Sequence, residues 1–356
     1  MTEKSALLRT YFKGLSYVIA NETDKAVAEF VKVARIDTTT AEIYLALGQL
    51  FRNSGEMERA IRVHRDILLR PNLPDDVRRQ TFFEIGLDYK RAGLFDRACR
   101  AFEEILARDP ENPGARKELS SLYISLREWE KALALHKADP SSENKINLIA
   151  HLTTEVGKAA EISGDRKKAL KFFLEALALD DNCIDAWLHY GDFLQSDNQI
   201  PETLAAWEKA FTLNPDFVGL VTSRFSTLSE NLRDTVEAEF FMRHLEEYGS
   251  KKKFNLAYIG WLIKAGRLHD AGQRLERVMR EKSGDAEVFS LVRHLLQKLR
   301  SSSETEHKLY DSLVSNFFST QLRFEKAYRC RKCGFQVDEM AWQCPRCATW
   351  DSIAVR

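Results

Sequence analysis

Glycine and proline are scarce in this chain, at 16 and 8 of 356 residues. Sheet-rich folds with many tight turns need more of both, so the shortage argues for helices joined by short turns. Neither sign of charge is in excess, since Lys+Arg and Asp+Glu both number 53. A chain with no basic surplus is a poor general binder of polyanions, which makes nucleic acid an unfavoured partner. No stretch comes near the ~18–20 continuous apolar residues that span a bilayer. The opening MTEKSALLRT has no apolar signal-peptide core. These absences give the expectation of a soluble, cytoplasmic protein. Catalytic signatures are missing too. No two glycines lie two or five residues apart, which excludes the dinucleotide fingerprint and the Walker A loop, and His-Glu-x-x-His is absent. The expectation is a non-enzyme with no catalytic residues and no small-molecule substrate.

What the chain does have is internal repetition. The words ALGQLFRNSGEMERA (46–60), EIGLDYKRAGLFDRA (84–98) and EVGKAAEISGDRKKA (155–169) share one layout: a glycine, a second glycine seven residues on, and an alanine five beyond that. The first column runs Gly14, Gly48, Gly86, Ser120, Gly157, Gly191, Phe225, Ile259. The alanine column runs Ala26, Ala60, Ala98, Ala132, Ala169, Thr203, Glu237, Ala271. Neighbours in both columns are 34, 38, 34, 37, 34, 34 and 34 residues apart. A period of 34 is the helix–turn–helix unit of tetratricopeptide repeats. Small residues in these columns let paired helices approach closely. The second-glycine column (Asn21, Gly55, Gly93, Arg127, Gly164, Asn198, Gly266) suits the left-handed conformation that ends a helix. One helical turn beyond each alanine position comes a plug: Phe30, His64, Phe102, His136, Phe173, Trp207, Phe241, Leu275. The seventh repeat, about 218–251, lacks most signature residues and is placed by spacing alone. The fold class expected is therefore all-α, a right-handed tetratricopeptide solenoid of about eight hairpins over 7–285. Such a fold presents side chains to other proteins.

Four of the six cysteines fall within 330–347, as Tyr-Arg-Cys330-Arg-Lys-Cys333-Gly334-Phe and Trp342-Gln-Cys344-Pro345-Arg-Cys347-Ala-Thr-Trp350. Two Cys-x-x-Cys turns supply the four tetrahedral thiolates that zinc or iron accepts. Residues 328–356 are too few to fold without a staple, and one metal ion held by Cys330, Cys333, Cys344 and Cys347 would provide it. Tyr328, Phe335, Trp342 and Trp350 are expected to pack around the cluster. Helical stretches at about 286–300 and 304–326 form a connecting segment over 286–327, in which Phe317, Phe318, Leu322 and Phe324 could seat the module. Cys99 and Cys183 lie on repeat helices and read as small buried residues.

The solenoid, the words LGQLFRNSGEMERAIRVH (47–64) and YRCRKCGF…WQCPRCATW (328–350) together resemble the lipopolysaccharide assembly protein B family from about residue 11 onward. The resemblance implies a regulator, not an enzyme. It links the chain to the membrane AAA+ protease FtsH and to degradation of LpxC, the deacetylase that commits flux to lipid A. The terminal pattern is rubredoxin-like, which favours iron over zinc. Members of that family begin with a transmembrane anchor, whereas this chain opens almost at its first repeat. Membrane contact is then expected through a partner or an anchor missing from this sequence, at the cytoplasmic face of the inner membrane. Other readings remain open on the residues alone: a general tetratricopeptide scaffold with a structural ribbon, electron transfer by the thiolate site, or a nucleic-acid ribbon drawing on the basic run 323–333. The early groove offers partner-binding candidates. Residues four and five past the first glycine face it in such repeats, giving Arg52 with Asn53 and Lys90 with Arg91. These would suit an acidic partner.

Overall fold

The computed structural model describes residues 9–36 (except 11, 15, 18, 19 and 21), 41–139, 146–280, 286–299 and 328–355. The fold is all-α, built from tetratricopeptide hairpins and closed by a small four-cysteine module. Contacts divide it into two compact units, 1–142 and 143–356, so the terminal module belongs to the same unit as the later repeats. The connecting residues 304–326 and the proposed seat of Phe317, Phe318, Leu322 and Phe324 lie outside the described residues.

In the first unit the described helices are α1 (Thr23–Ile36), α2 (Ala41–Asn53), α3 (Met57–Leu68), α4 (Asp75–Arg91), α5 (Phe95–Leu106), α6 (Pro113–Ser125) and α7 (Trp129–Lys137). The second unit holds α8 (Ile146–Ile162), α9 (Arg166–Leu179), α10 (Ile184–Ser196), α11 (Ile200–Leu213), α12 (Val218–Arg224), α13 (Glu230–Tyr248), α14 (Lys252–Lys264), α15 (Leu268–Arg280) and α16 (Ala286–Leu299). None of the described helices is long and apolar enough to cross a membrane.

The sequence columns become physical contacts. Every residue of the alanine column is buried, six of the eight being alanines with no exposure at all. Each first-column glycine faces the plug sixteen residues later. A Cβ built there would sit 2.5–2.9 Å from the plug ring at Gly14, Gly86, Gly157 and Gly191. Only hydrogen fits, because the ring occupies the space a side chain would need. Where the fourth repeat has Ser120 instead, its plug is His136, and Ser120 Oγ lies 2.7 Å from His136 Nε2. His64 and His136 are both buried in the plug column, as core packing requires. The turn column has positive φ at every described member, including Arg127 (58°) and Asn198 (58°).

The seventh repeat departs from its neighbours for a visible reason. Phe225 stands where five of the repeats have glycine, and the first helix stops short of it, leaving only the seven residues of α12 between two 3-10 turns, Pro215–Phe217 and Phe225–Thr227. The aromatic rings Phe211, Phe225, Phe240, Phe241 and Phe254 pack together here, at centroid separations such as 4.9 Å for Phe211–Phe240 and 5.4 Å for Phe225–Phe240. Edge-on aromatic pairs of this kind contribute about 0.5–1.5 kcal/mol each beyond their burial.

Candidate metal centre

The terminal module is a three-stranded antiparallel sheet, β1 (Tyr328–Cys330), β2 (Gln336–Val337) and β3 (Ile353–Val355), in the order β2-β1-β3. Tyr328 pairs with Val337 on one side and Val355 on the other, and Cys330 faces Ile353. Two knuckles with matching hydrogen bonds grow from this sheet. In the first, Cys330 N donates to Phe335 O (2.8 Å) and Gly334 N to Cys330 O (2.9 Å). In the second, Cys344 N donates to Thr349 O (2.9 Å) and Ala348 N to Cys344 O (2.8 Å). The residue after each second cysteine has positive φ, Gly334 at 73° and Ala348 at 52°. Glycine takes that conformation freely, while an alanine held there costs ~1–2 kcal/mol. Ala348→Gly should therefore strengthen the second knuckle, by up to about 1 kcal/mol after the unfolded chain's extra freedom is counted. The check is the chelator concentration that strips half the metal, which should rise in the variant.

The knuckles bring all four sulfurs within 4.8 Å of one another. Cys330 Sγ lies 3.6 Å from Cys347 Sγ, and Cys333 Sγ 3.7 Å from Cys344 Sγ. A tetrahedron with metal–sulfur bonds of ~2.3 Å has edges of about 3.8 Å, so these separations fit a four-thiolate site for one ion. Cys330 and Cys344 are buried, while Cys333 and Cys347 are partly accessible. Surrounding donors favour the ligand form. The Ser352 hydroxyl, 3.3 Å away, and the amides of Cys333 and Lys332 hold Cys330 down at about 6. Thr349, 3.4 Å off through Oγ1, lowers Cys347. For Cys333 the amide of Phe335 works in the same direction, but desolvation and the other sulfurs win and push it up to about 11. Four sulfurs this close cannot all ionise alone, and a cation among them relieves the repulsion. Bound there, the ion supplies a structural cross-link between the knuckles.

The aromatic shell differs from the sequence expectation. Tyr328 and Phe335 pack around the cysteines, together with Val337, Met340 and buried Ile353. Trp342 and Trp350 do not. They turn away from the cluster toward the repeat helices of the same unit, because those helices offer apolar and aromatic partners. Trp342 packs against Phe217 at 5.8 Å, and Trp350 stacks on His151 of α8 at 4.9 Å. Asp351 Oδ1 reaches His151 Nε2 at 2.7 Å, and His151 Nδ1 lies 3.1 Å from Asp185 Oδ2 on α10. His151 is thus the module's anchor on the repeats, and it was not singled out in the sequence. The available signal was its register: His151 and Asp185 each stand six residues before the first-column glycine of successive repeats. Beside them the module and repeats enclose a cleft of about 360 Å³, lined in part by Asn147, Cys183, Asn214, Arg331 and Asp351. Cys99 and Cys183 are both buried.

The groove candidates sit in the first unit, where acids of the following repeat meet two of them. Arg52 is 11% exposed, with Nη2 2.6 Å from Glu84 Oε2 and Nη1 2.8 Å from Asp88 Oδ1. Lys90 Nζ lies 2.7 Å from Glu118 Oε2. In both cases a cation four past the small-residue column meets an acid two before that column in the next repeat. In the second unit the same two positions carry Glu161 and His189. Arg91 is exposed and donates to Arg52 O at 3.1 Å, and Asn53 is exposed beside it. Arg52, which the sequence places on an open face, is therefore a partly buried strut between repeats.

Protein-family models for the tetratricopeptide repeat match residues 43–77 and 90–150, and one described as a rubredoxin metal binding domain matches residues 328–354. Lipopolysaccharide assembly protein B of Escherichia coli (strain K12) is 28% identical over 99% of this chain and 90% of its own length. The protein of the same name from Haemophilus influenzae is 26% identical over 98% of this chain and 89% of its own. Among solved structures, YrrB, a TPR protein with an unusual peptide-binding site, aligns with a TM-score of 0.36 at 21% identity, over 56% of this chain and 98% of its own. The resemblance to lipopolysaccharide assembly protein B thus extends from one end of the chain to the other.

Proposed function

We propose that this chain is a non-enzymatic regulator of lipopolysaccharide assembly that holds protein partners on its tetratricopeptide repeats. The observation that carries the reading is the end-to-end similarity to lipopolysaccharide assembly protein B, spanning repeats and four-cysteine module alike. Within it we place the finer role of presenting the LpxC deacetylase to the FtsH membrane protease at the cytoplasmic face of the inner membrane. The module serves as a structural element carrying one iron, with zinc as the competing ion. In the first unit, Lys90, Arg91 and Asn53 are the proposed contacts for an acidic segment of a partner, since Arg52 is committed to Glu84 and Asp88.

Affinity capture of the full chain from cells carrying a catalytically dead protease tests this reading. It should enrich the protease and the deacetylase, and deletion of the chain should lengthen the deacetylase's lifetime. Capture of unrelated proteins with an unchanged deacetylase lifetime would leave a general tetratricopeptide scaffold as the better description.

A further inference from the structure

One imidazole is gripped by two carboxylates where the module meets the repeats of its unit. His151 is 1% exposed, with Asp185 on one ring nitrogen and Asp351 on the other. An ionised carboxylate only accepts hydrogen bonds, so both nitrogens must donate and the ring in this pose is an imidazolium. Trp350 lies against it at 4.9 Å and Trp342 at 5.7 Å, which sets the cation beside two indole rings. The other groups facing it are few. Cys183 Sγ is 4.0 Å from Nδ1. His189 Nε2 lies 3.3 Å from Asp185 Oδ1, and its Nδ1 lies 3.5 Å from Asp192 Oδ2. Burial opposes protonation of His151, but Asp185 and then Asp351 override it and hold the ring well above its ordinary value of 6.5.

Everything the module contributes to this contact comes from the second knuckle. Trp342 stands two residues before Cys344, and Trp350 and Asp351 follow Cys347 closely. Asp351 N donates to Trp342 O at 2.8 Å, and Gln343 bridges to Trp350 across the same turn. The turn that delivers two thiolates to the metal therefore also sets the spacing of the three side chains that hold His151. We propose that His151 reads the metal state of the module: the metal-ordered knuckle presents Asp351 and the two tryptophans, which keep His151 protonated and the module docked, and metal loss releases both the module and that proton. This rests on the four-cysteine site taking a metal and is independent of which pathway the protein serves.

The sign follows from the raised value. Docking strength from His151 is complete below 6.5 and is lost as pH rises through the docked value. Asp351 leaves with the module while Asp185 stays, so the released ring holds its proton less tightly and undocking liberates it at pH values between the released and the docked value. By reciprocity, whatever weakens the grip on His151 also weakens metal retention.

The test is a pH titration of histidine ring nitrogens by NMR on the full chain, with His151→Gln to assign the signal. Metal-loaded wild type, chelator-stripped wild type under reductant, and metal-loaded Asp351→Asn are compared. Asp351 is 42% exposed, and circular dichroism is the control that the variant keeps its helices. The loaded protein should keep His151 doubly protonated to a higher pH than either the stripped protein or Asp351→Asn, both of which should titrate closer to 6.5. Asp351→Asn should also give up its metal to chelator about tenfold more readily. An identical His151 titration in loaded and stripped protein would overturn the proposal, as would wild-type metal retention in Asp351→Asn.

Discussion

Replacing Cys330 and Cys344 together with serine is expected to abolish metal binding and to unfold residues 328–355 while the helical signal of the repeats survives. These are the two buried cysteines of the module, one from each knuckle. Their loss leaves Cys333 and Cys347, two sulfurs from opposite turns, to hold the ion. Binding at such a site is worth ~10–16 kcal/mol in comparable peptides. The module has little to set against that loss. Apart from its cysteines, its core comprises Ile353 with the partly buried Tyr328, Phe335, Val337 and Met340. Chains below ~40 residues rarely fold on such a core without a metal or disulfide. The repeat helices keep their own cores, from Phe173 and Phe193 to Trp207 and the rings around Phe240. Elemental analysis should find no bound ion in the double variant, and limited proteolysis should cut within 328–355 but not within α8–α11. Full metal occupancy in the variant would remove the assignment. In wild-type protein from its native host, iron with a ferric–thiolate colour is expected, and zinc alone would reverse that order.

The repeat columns and the cysteine spacing were legible in the sequence because both are local. A glycine must face the plug sixteen residues away, and two thiols three residues apart must share a turn, whatever the rest of the chain does. Anchoring of the module was not legible. His151 and Asp351 are 200 residues apart, and neither belongs to a signature column. The true contacts of Trp342 and Trp350 are hidden in the sequence for a related reason. Beside a cysteine cluster an aromatic residue reads as core, and only the position of Phe217 and His151 shows that a second surface competes for the same rings. Arg52 lies between these cases. Its column is visible in the sequence, but its partner Glu84 belongs to the next repeat, two residues before that repeat's glycine, so no single repeat contains the pair.

That partnership makes Arg52→Ala a large expected loss for a charged residue of the first unit. The guanidinium bonds Glu84 Oε2, Asp88 Oδ1 and the Glu84 carbonyl, all from α4. Asp88 is fully buried, and its other oxygen lies 2.6 Å from His64 Nδ1. Gln49 donates to Glu84 Oε1 at 2.8 Å, so α2 holds Glu84 with two side chains. Removing one partner of a buried ion pair costs about 3–5 kcal/mol, because the remaining charges keep their desolvation penalty without the attraction that offset it. Lys90 is the contrast. It is 33% exposed against Glu118, and truncating such a pair costs within about 1 kcal/mol. Urea unfolding together with hydrogen exchange along α2 and α4 should separate the two: Arg52→Ala loses protection in both helices, and Lys90→Ala does not. Placing Arg52→Ala on a Glu84→Gln, Asp88→Asn background should recover part of the loss, since neutral partners leave less charge buried. A shift within 1 kcal/mol for Arg52→Ala would mean that its charge is not needed between the repeats and is free for a partner. Until that result, weakened binding in any Arg52 variant reports on the fold of the first unit. Arg91→Glu, on the exposed surface beside it, is the substitution that reports on the partner.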